Sequence, residues 1–128
     1  MYANDLVERA IDVIKRNAGI QRRMIEDLLD VARILTGKMI INTDLVDVRN
    51  VIKAALDSVS PAASAKAIRL DKDFQDSLPL IVGDADRLQQ VAWNLLSNSI
   101  KFTPHSGYVQ LRLAHCESHV EFSDRVSQ

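Results

Sequence analysis

Cysteine, proline and glycine are scarce in this chain, with one, three and four in 128 residues. The lone Cys116 excludes an intramolecular disulfide and fits a reducing compartment. No apolar run is long enough to span a membrane. The segment Met1 to Glu8 carries acidic residues and no apolar core, so it does not read as a secretory leader. A net charge of −1 gives no strong field toward nucleic acid or acidic lipid. Internal repeats and low-complexity tracts are absent. What remains is 47% hydrophobic and 26% charged, the balance of a soluble globular chain rather than a disordered one.

From Asn4 to Leu35 there is no proline and a single glycine, Gly19. Val7, Ile11, Ile14, Ala18, Ile25, Leu28, Ala32 and Leu35 recur in steps of threes and fours, with Gln21 the one polar member of the stripe. Leu6, Ala10, Val13, Ile20, Met24, Val31 and Ile34 run beside them, so a helix here carries a broad apolar face. At 1.5 Å per residue it is roughly 45–50 Å long, which exceeds a small domain and implies a partner helix. The pairs Lys15-Arg16 and Arg22-Arg23 balance Glu26, Asp27 and Asp30, and read as a solvated face rather than a nucleic-acid patch. Thr36-Gly37 is the natural stop.

Lys38 to Leu45 reads as a strand. Asp47 is a candidate N-cap for a helix through Val59, which Pro61 kinks or restarts, with Ala62 to Ala67 continuing it. Ile68 to Leu70 and Leu80 to Val82 read as strands around the loop Asp76-Ser77-Leu78-Pro79. A second strong helix runs from Asp86 to Phe102, stopped by Thr103-Pro104. Tyr108 to Ala114 and Val120 to Ser123 alternate as a hairpin does, turning at Glu117-Ser118. The order predicts an α+β fold with a helical arm, residues 1–37, ahead of a mixed layer, residues 38–128.

Chemistry concentrates on the second helix. Leu88, Val91, Ala92, Leu95, Leu96 and Ile100 form its apolar side, while Arg87, Asn94, Asn98 and Lys101 share the other. Asparagine is a poor helix former, because its amide competes for backbone hydrogen bonds. Amide oxygens can ligate a hard cation such as magnesium, and the two basic groups can hold phosphate oxygens. From spacing alone, the alternative is an ordinary solvated face. His115-Cys116-Glu117-Ser118-His119 has zinc-ligand types, but it lies at the hairpin turn and no second cluster completes a ligand set, so an exposed turn is the expectation. Trp93 reads as core packing.

Asp86-Arg87-Leu88 followed by Asn94-Leu95-Leu96-Ser97-Asn98-Ser99-Ile100-Lys101-Phe102-Thr103-Pro104 resembles the N box of sensor histidine kinases, N-L-L-x-N-A-[IL]-K-[FY]-T, with Ser99 in place of alanine. Ile25 to Ile34 resembles the second helix of the dimerisation and phosphotransfer domain, and Gly37-Lys38-Met39 the start of the catalytic domain. The resemblance covers residues 4 to 124. It implies a long dimerisation helix followed by an incomplete ATP-binding α/β sandwich, in a protein that autophosphorylates a histidine with ATP and passes the phosphoryl group to a response regulator. It implies that Asn98 ligates magnesium, Asn94 contacts the same cluster, Lys101 pairs with phosphate, Phe102 lies near adenine, and Arg87 is a weaker phosphate candidate. Asp124 falls where the aspartate of D-x-G-x-G hydrogen-bonds the adenine amino group, but Arg125-Val126-Ser127-Gln128 follows without glycine.

No histidine among His105, His115 and His119 stands in the family's H-E-x-R-T-P setting. The expectation is a piece of a kinase truncated at both ends, with no catalytic residue of its own and inactive alone, and with a strand edge and apolar face open to a partner. Its implied partners are a homodimer mate or kinase subunit through the long helix, and a response regulator. Its implied location is the cytoplasm, with the parent kinase free to be membrane-attached. A non-catalytic dimerisation or regulator-binding module is the alternative. A topoisomerase-like or chaperone-like ATPase is discounted, because Val91, Ala92 and Trp93 stand where those carry a catalytic glutamate.

Overall fold

A computed structural model describes residues 2–126; Met1, Ser127 and Gln128 lie outside the described residues. In chain order the elements are α1 (Tyr2–Leu35), β1 (Asp44–Val46), α2 (Val48–Ala65), β2 (Arg69–Phe74), β3 (Ile81–Gly83), α3 (Ala85–Phe102), β4 (Tyr108–Cys116) and β5 (His119–Val126). The fold is α+β. It divides into two units, one up to Ile41 and one from Asn42 onward.

The first unit is α1. Its apolar stripes are exposed, including Val7, Ile14, Met24, Leu28 and Leu35. The surface ion pairs Arg22–Glu26 and Arg33–Asp30 run along its length. Gly37 ends it at φ +68°, with Lys38 N–H donating to Arg33 O at 2.8 Å and Gly37 N–H to Ile34 O at 3.2 Å. This pair of bonds is the Schellman motif, which satisfies the last carbonyls and uses a glycine where a side chain would strain.

In the second unit α2 and α3 pack on a sheet ordered β2-β4-β5, with β2 parallel and β5 antiparallel to β4. Val109, Leu111 and Leu113 alternate along β4 and are fully buried. Against them pack Ile52, Ala55, Leu56, Val59 and Ala63 of α2, with Ala92, Leu96 and Ile100 of α3. Asp47 and Asp84 cap the two helices. Asp47 accepts from Arg49 N–H, and Asp84 accepts from Asp86 N–H, Arg87 N–H and Asn42 N–H. One carboxylate thus fixes both the start of α3 and the approach to β1.

Several boundaries differ from the sequence expectation. Lys38 to Leu45 is not a strand throughout; only Asp44–Val46 is, because its antiparallel partner is the three-residue β3. The predicted strand Ile68 to Leu70 starts one residue later and extends to Phe74, drawn on by six parallel pairs with β4. Pro61 lies inside α2, which runs on to Ala65 as one helix rather than restarting. The buried Ala63 beyond it anchors the last turn in the core. Val91 and Leu95 are exposed by 55% and 42%, so the buried side of α3 is narrower than its apolar pattern. With Leu88, Val48 and Phe122 they line an open apolar groove of about 190 Å³.

α2 closes on Ala67 at φ +53°, where Ala67 N–H donates to Ser64 O and Ile68 N–H to Ala63 O. A left-handed alanine carries a steric cost of about 1 kcal/mol that glycine does not. Ala67→Gly is expected to stabilise the protein by up to about 1 kcal/mol in thermal or urea unfolding. An unchanged or lower midpoint would show that the left-handed turn is not under strain.

Candidate functional site

The site is built on α3, and its setting follows from what the helix buries. Leu96 is fully buried, and Ala92 and Ile100 nearly so. Roughly half a turn away, Asn94, Asn98 and Lys101 all face solvent. Asn94 and Asn98 stand one turn apart, with Lys101 three residues on, which places two amides and an ammonium along one exposed strip. Arg87 is half-buried in the first turn, and its guanidinium reaches Gln90 Oε1 at 3.5 Å. The C-terminal end of the strip holds Phe102, 71% exposed, with Lys101 Nζ 5.5 Å from its ring centroid.

Ser99 is the residue whose importance the sequence pattern hides. It is 8% exposed and turns away from the Asn strip, toward the sheet. Its hydroxyl donates to Asp124 of β5 and lies 2.9 Å from Leu95 O. A hydroxyl has one hydrogen to give, so the helix carbonyl and the carboxylate share it. Asp124 is half-buried on the helix-facing side of β5, opposite Leu111 in register. Its tie to Ser99 lies one residue along α3 from Asn98. The only sequence signal was the departure from alanine at this one position.

Lys66 is a second residue that the pattern did not reveal. Its ammonium donates to Ile100 O at 2.7 Å and Lys101 O at 3.3 Å. A cation there satisfies two carbonyls at the negative end of α3 and pins the turn that carries Lys101 and Phe102. Thr103 continues the lock, its buried hydroxyl donating to Ser99 O at 2.6 Å. Trp93 is half-buried and packs against the core cluster.

These donor types suit a magnesium–polyphosphate group. Amide oxygens are hard ligands, the ammonium complements anionic oxygens, and the exposed strip leaves coordination positions for water and phosphate.

Residues 83–127 match the family described as Histidine kinase-, DNA gyrase B-, and HSP90-like ATPase. Over 114 residues the chain is 40% identical to the hybrid signal transduction histidine kinase D of Dictyostelium discoideum, covering 84% of this chain and 7% of that protein. This chain belongs to the sensor histidine kinase family. Among solved structures, full-length ShkA in complex with AMPPNP superposes with a TM-score of 0.69 at 28% identity, over 80% of this chain and 22% of that one. The fold is also shared with histidine kinase ThkA in complex with the response regulator TrrA, at a TM-score of 0.64 and 17% identity, over 82% of this chain and 32% of that one. The chain spans a tenth or less of the length of the curated kinases that it matches first.

Ser99→Ala is expected to cost about 0.5–1.5 kcal/mol in urea unfolding, the usual worth of one hydrogen bond, since water can reach a half-buried carboxylate. An unchanged midpoint would show that the Ser99–Asp124 tie does not hold β5 to α3.

Proposed function

We propose that the exposed strip of α3 holds ATP and magnesium for a sensor histidine kinase in two-component signalling. The observation that carries this reading is the division of α3 into two faces within one turn. Asn94, Asn98 and Lys101 face solvent, while Ser99 beside them reaches back to Asp124. Phosphate-binding and base-binding groups are thereby set on adjoining sides of one helix end.

In this reading the Asn98 amide oxygen ligates the metal and Asn94 contacts the same cluster. Lys101 leaves the Phe102 ring to pair with phosphate, a move open to an exposed side chain. Phe102 offers an uncovered ring face to the base, and Asp124 accepts from the adenine amino group. Arg87 is a weaker phosphate contact. Magnesium, when bound, offsets the charge of the phosphate oxygens. The likeness to ShkA, solved with AMPPNP, supports the nucleotide assignment. None of His105, His115 and His119 stands in an H-box setting, so the role proposed for the α3 strip is nucleotide holding, and no phosphoacceptor is assigned. We assign residues 1–37 to the second helix of the dimerisation hairpin and residues 38–128 to part of the ATP-binding domain.

Partners follow from the same reading. ThkA, solved with a response regulator, supports such a regulator as a partner. Among the described residues no helix is long and apolar enough to cross a membrane. The free thiol of Cys116 and the proposed use of ATP favour a cytoplasmic setting, whether or not the longer protein is attached to a membrane.

The exposed apolar stripes of α1 favour a second reading as a helix-pairing module. It predicts a dimer at micromolar concentration in sedimentation, weakened by Ile14→Glu on the stripe. A monomer under those conditions would contradict it.

Calorimetry tests the nucleotide reading. ATP is expected to bind only with magnesium, and Asn98→Ala to weaken it by about tenfold or more, the scale of one lost charge-assisted contact. No binding by the folded wild type would contradict the reading and leave the helix surface as the functional element.

A further inference from the structure

The hairpin β4–β5 carries a cluster that the nucleotide site does not use. Its two-residue turn, Glu117-Ser118, makes Cys116 and His119 direct cross-strand partners, and Ala114 pairs with Glu121. Side chains alternate across a strand, so Cys116, His119 and Glu121 share one face of the hairpin. That face is opposite the one on which Val109, Leu111 and Leu113 meet the helices. Cys116 Sγ lies 3.7 Å and His119 Nε2 3.9 Å from Glu121 Oε2. All three donor atoms fall within 4.8 Å of one another.

The two Glu121 separations lie at or just above the donor spacing of a metal site, and the Cys116–His119 pair lies within 4.8 Å. With ligand bonds of about 2.0–2.3 Å, the donors of a tetrahedral zinc ion lie roughly 3.3–3.7 Å apart. At 3.9 Å the imidazole–carboxylate pair is too long for a hydrogen bond, and at 3.7 Å the thiol is a weak donor. Both gaps close by a few tenths of an ångström around an ion, and exposed side chains move that far without disturbing the sheet. A thiol, an imidazole and a carboxylate form a mixed soft and borderline set, which selects zinc-type ions over magnesium. The sequence obscured the third ligand, since Glu121 lies outside the His115–His119 segment and joins it only through the hairpin register.

We propose that Cys116, His119 and Glu121 form a three-ligand site for a zinc-class divalent ion, with the fourth position open to water. The ion ties the turn end of β4 to β5, three to five residues along β5 from Asp124. The site uses no residue of the nucleotide strip and stands whether or not ATP binds there.

The test is zinc titration of the untagged protein without nucleotide or magnesium, followed by calorimetry, with cobalt as the spectroscopic probe. One ion per chain is expected, with a thiolate-to-cobalt charge-transfer band. Cys116→Ser, His119→Ala and Glu121→Gln should each weaken binding by about tenfold or more. His115→Ala, on the opposite face of β4, and Asn98→Ala should leave it unchanged, with circular dichroism confirming that every variant is folded. No zinc uptake by the folded wild type, or an unaltered affinity and absent band in Cys116→Ser, would overturn the proposal.

Discussion

The burial of one side of α3 in the core it shares with α2 and the sheet is the contact on which the rest of the second unit depends. Leu96 is fully enclosed, with Ala92 and Ile100 beside it and Val109, Leu111 and Leu113 beneath. Removing a leucine from such a position costs about 2–5 kcal/mol, a large fraction of a small domain's stability. The rotation of α3 about its axis is therefore fixed by packing. Once it is fixed, Asn94, Asn98 and Lys101 have only the solvent side left. A helix free to roll would blur that strip, and a strip of weak helix formers would not hold a helix alone.

The ends of α3 are secured by polar groups of other segments. Asp84 caps its start while also holding Asn42, and Lys66 reaches from the end of α2 to its last carbonyls. Gly83, just before the cap, lies so close to Leu88 that an added Cβ would sit 3.1 Å from Leu88 Cδ1. Tight packing at one end and a half-buried ammonium contact at the other give the helix little axial freedom. Ser99 then extends the order sideways to β5 through Asp124. The proposed nucleotide strip inherits its rigidity from these anchors, none of which lies on the strip itself.

The helices were legible in the sequence because their signals are local. Periodicity marked α1 and α3, and Asp47 and Gly37 sit where capping chemistry places them. The N-box residues were legible for the same reason, being confined to two turns of one helix. What the sequence hid was long-range. The strand expected from Lys38 failed because its length is set by a three-residue partner 37 residues later in register, Leu45 opposite Val82. Pro61 was expected to kink or restart α2, yet one helix runs on past it, with Ala63 of its last turn buried in the core. The Ser99–Asp124 tie joins residues 25 apart, and the Lys66 contact spans 34. No local pattern encodes either one.

The central claim is that the solvent face of α3 is a nucleotide face. Side-chain amide resonances of Asn94 and Asn98, followed by nuclear magnetic resonance during titration with magnesium and AMPPNP, test it most directly. The account predicts saturable shifts in both amides and in the backbone of Lys101, Phe102 and Asp124, with the buried turn around Leu96 little changed. Saturable shifts confined to α1, or none at all in the folded protein, would contradict it.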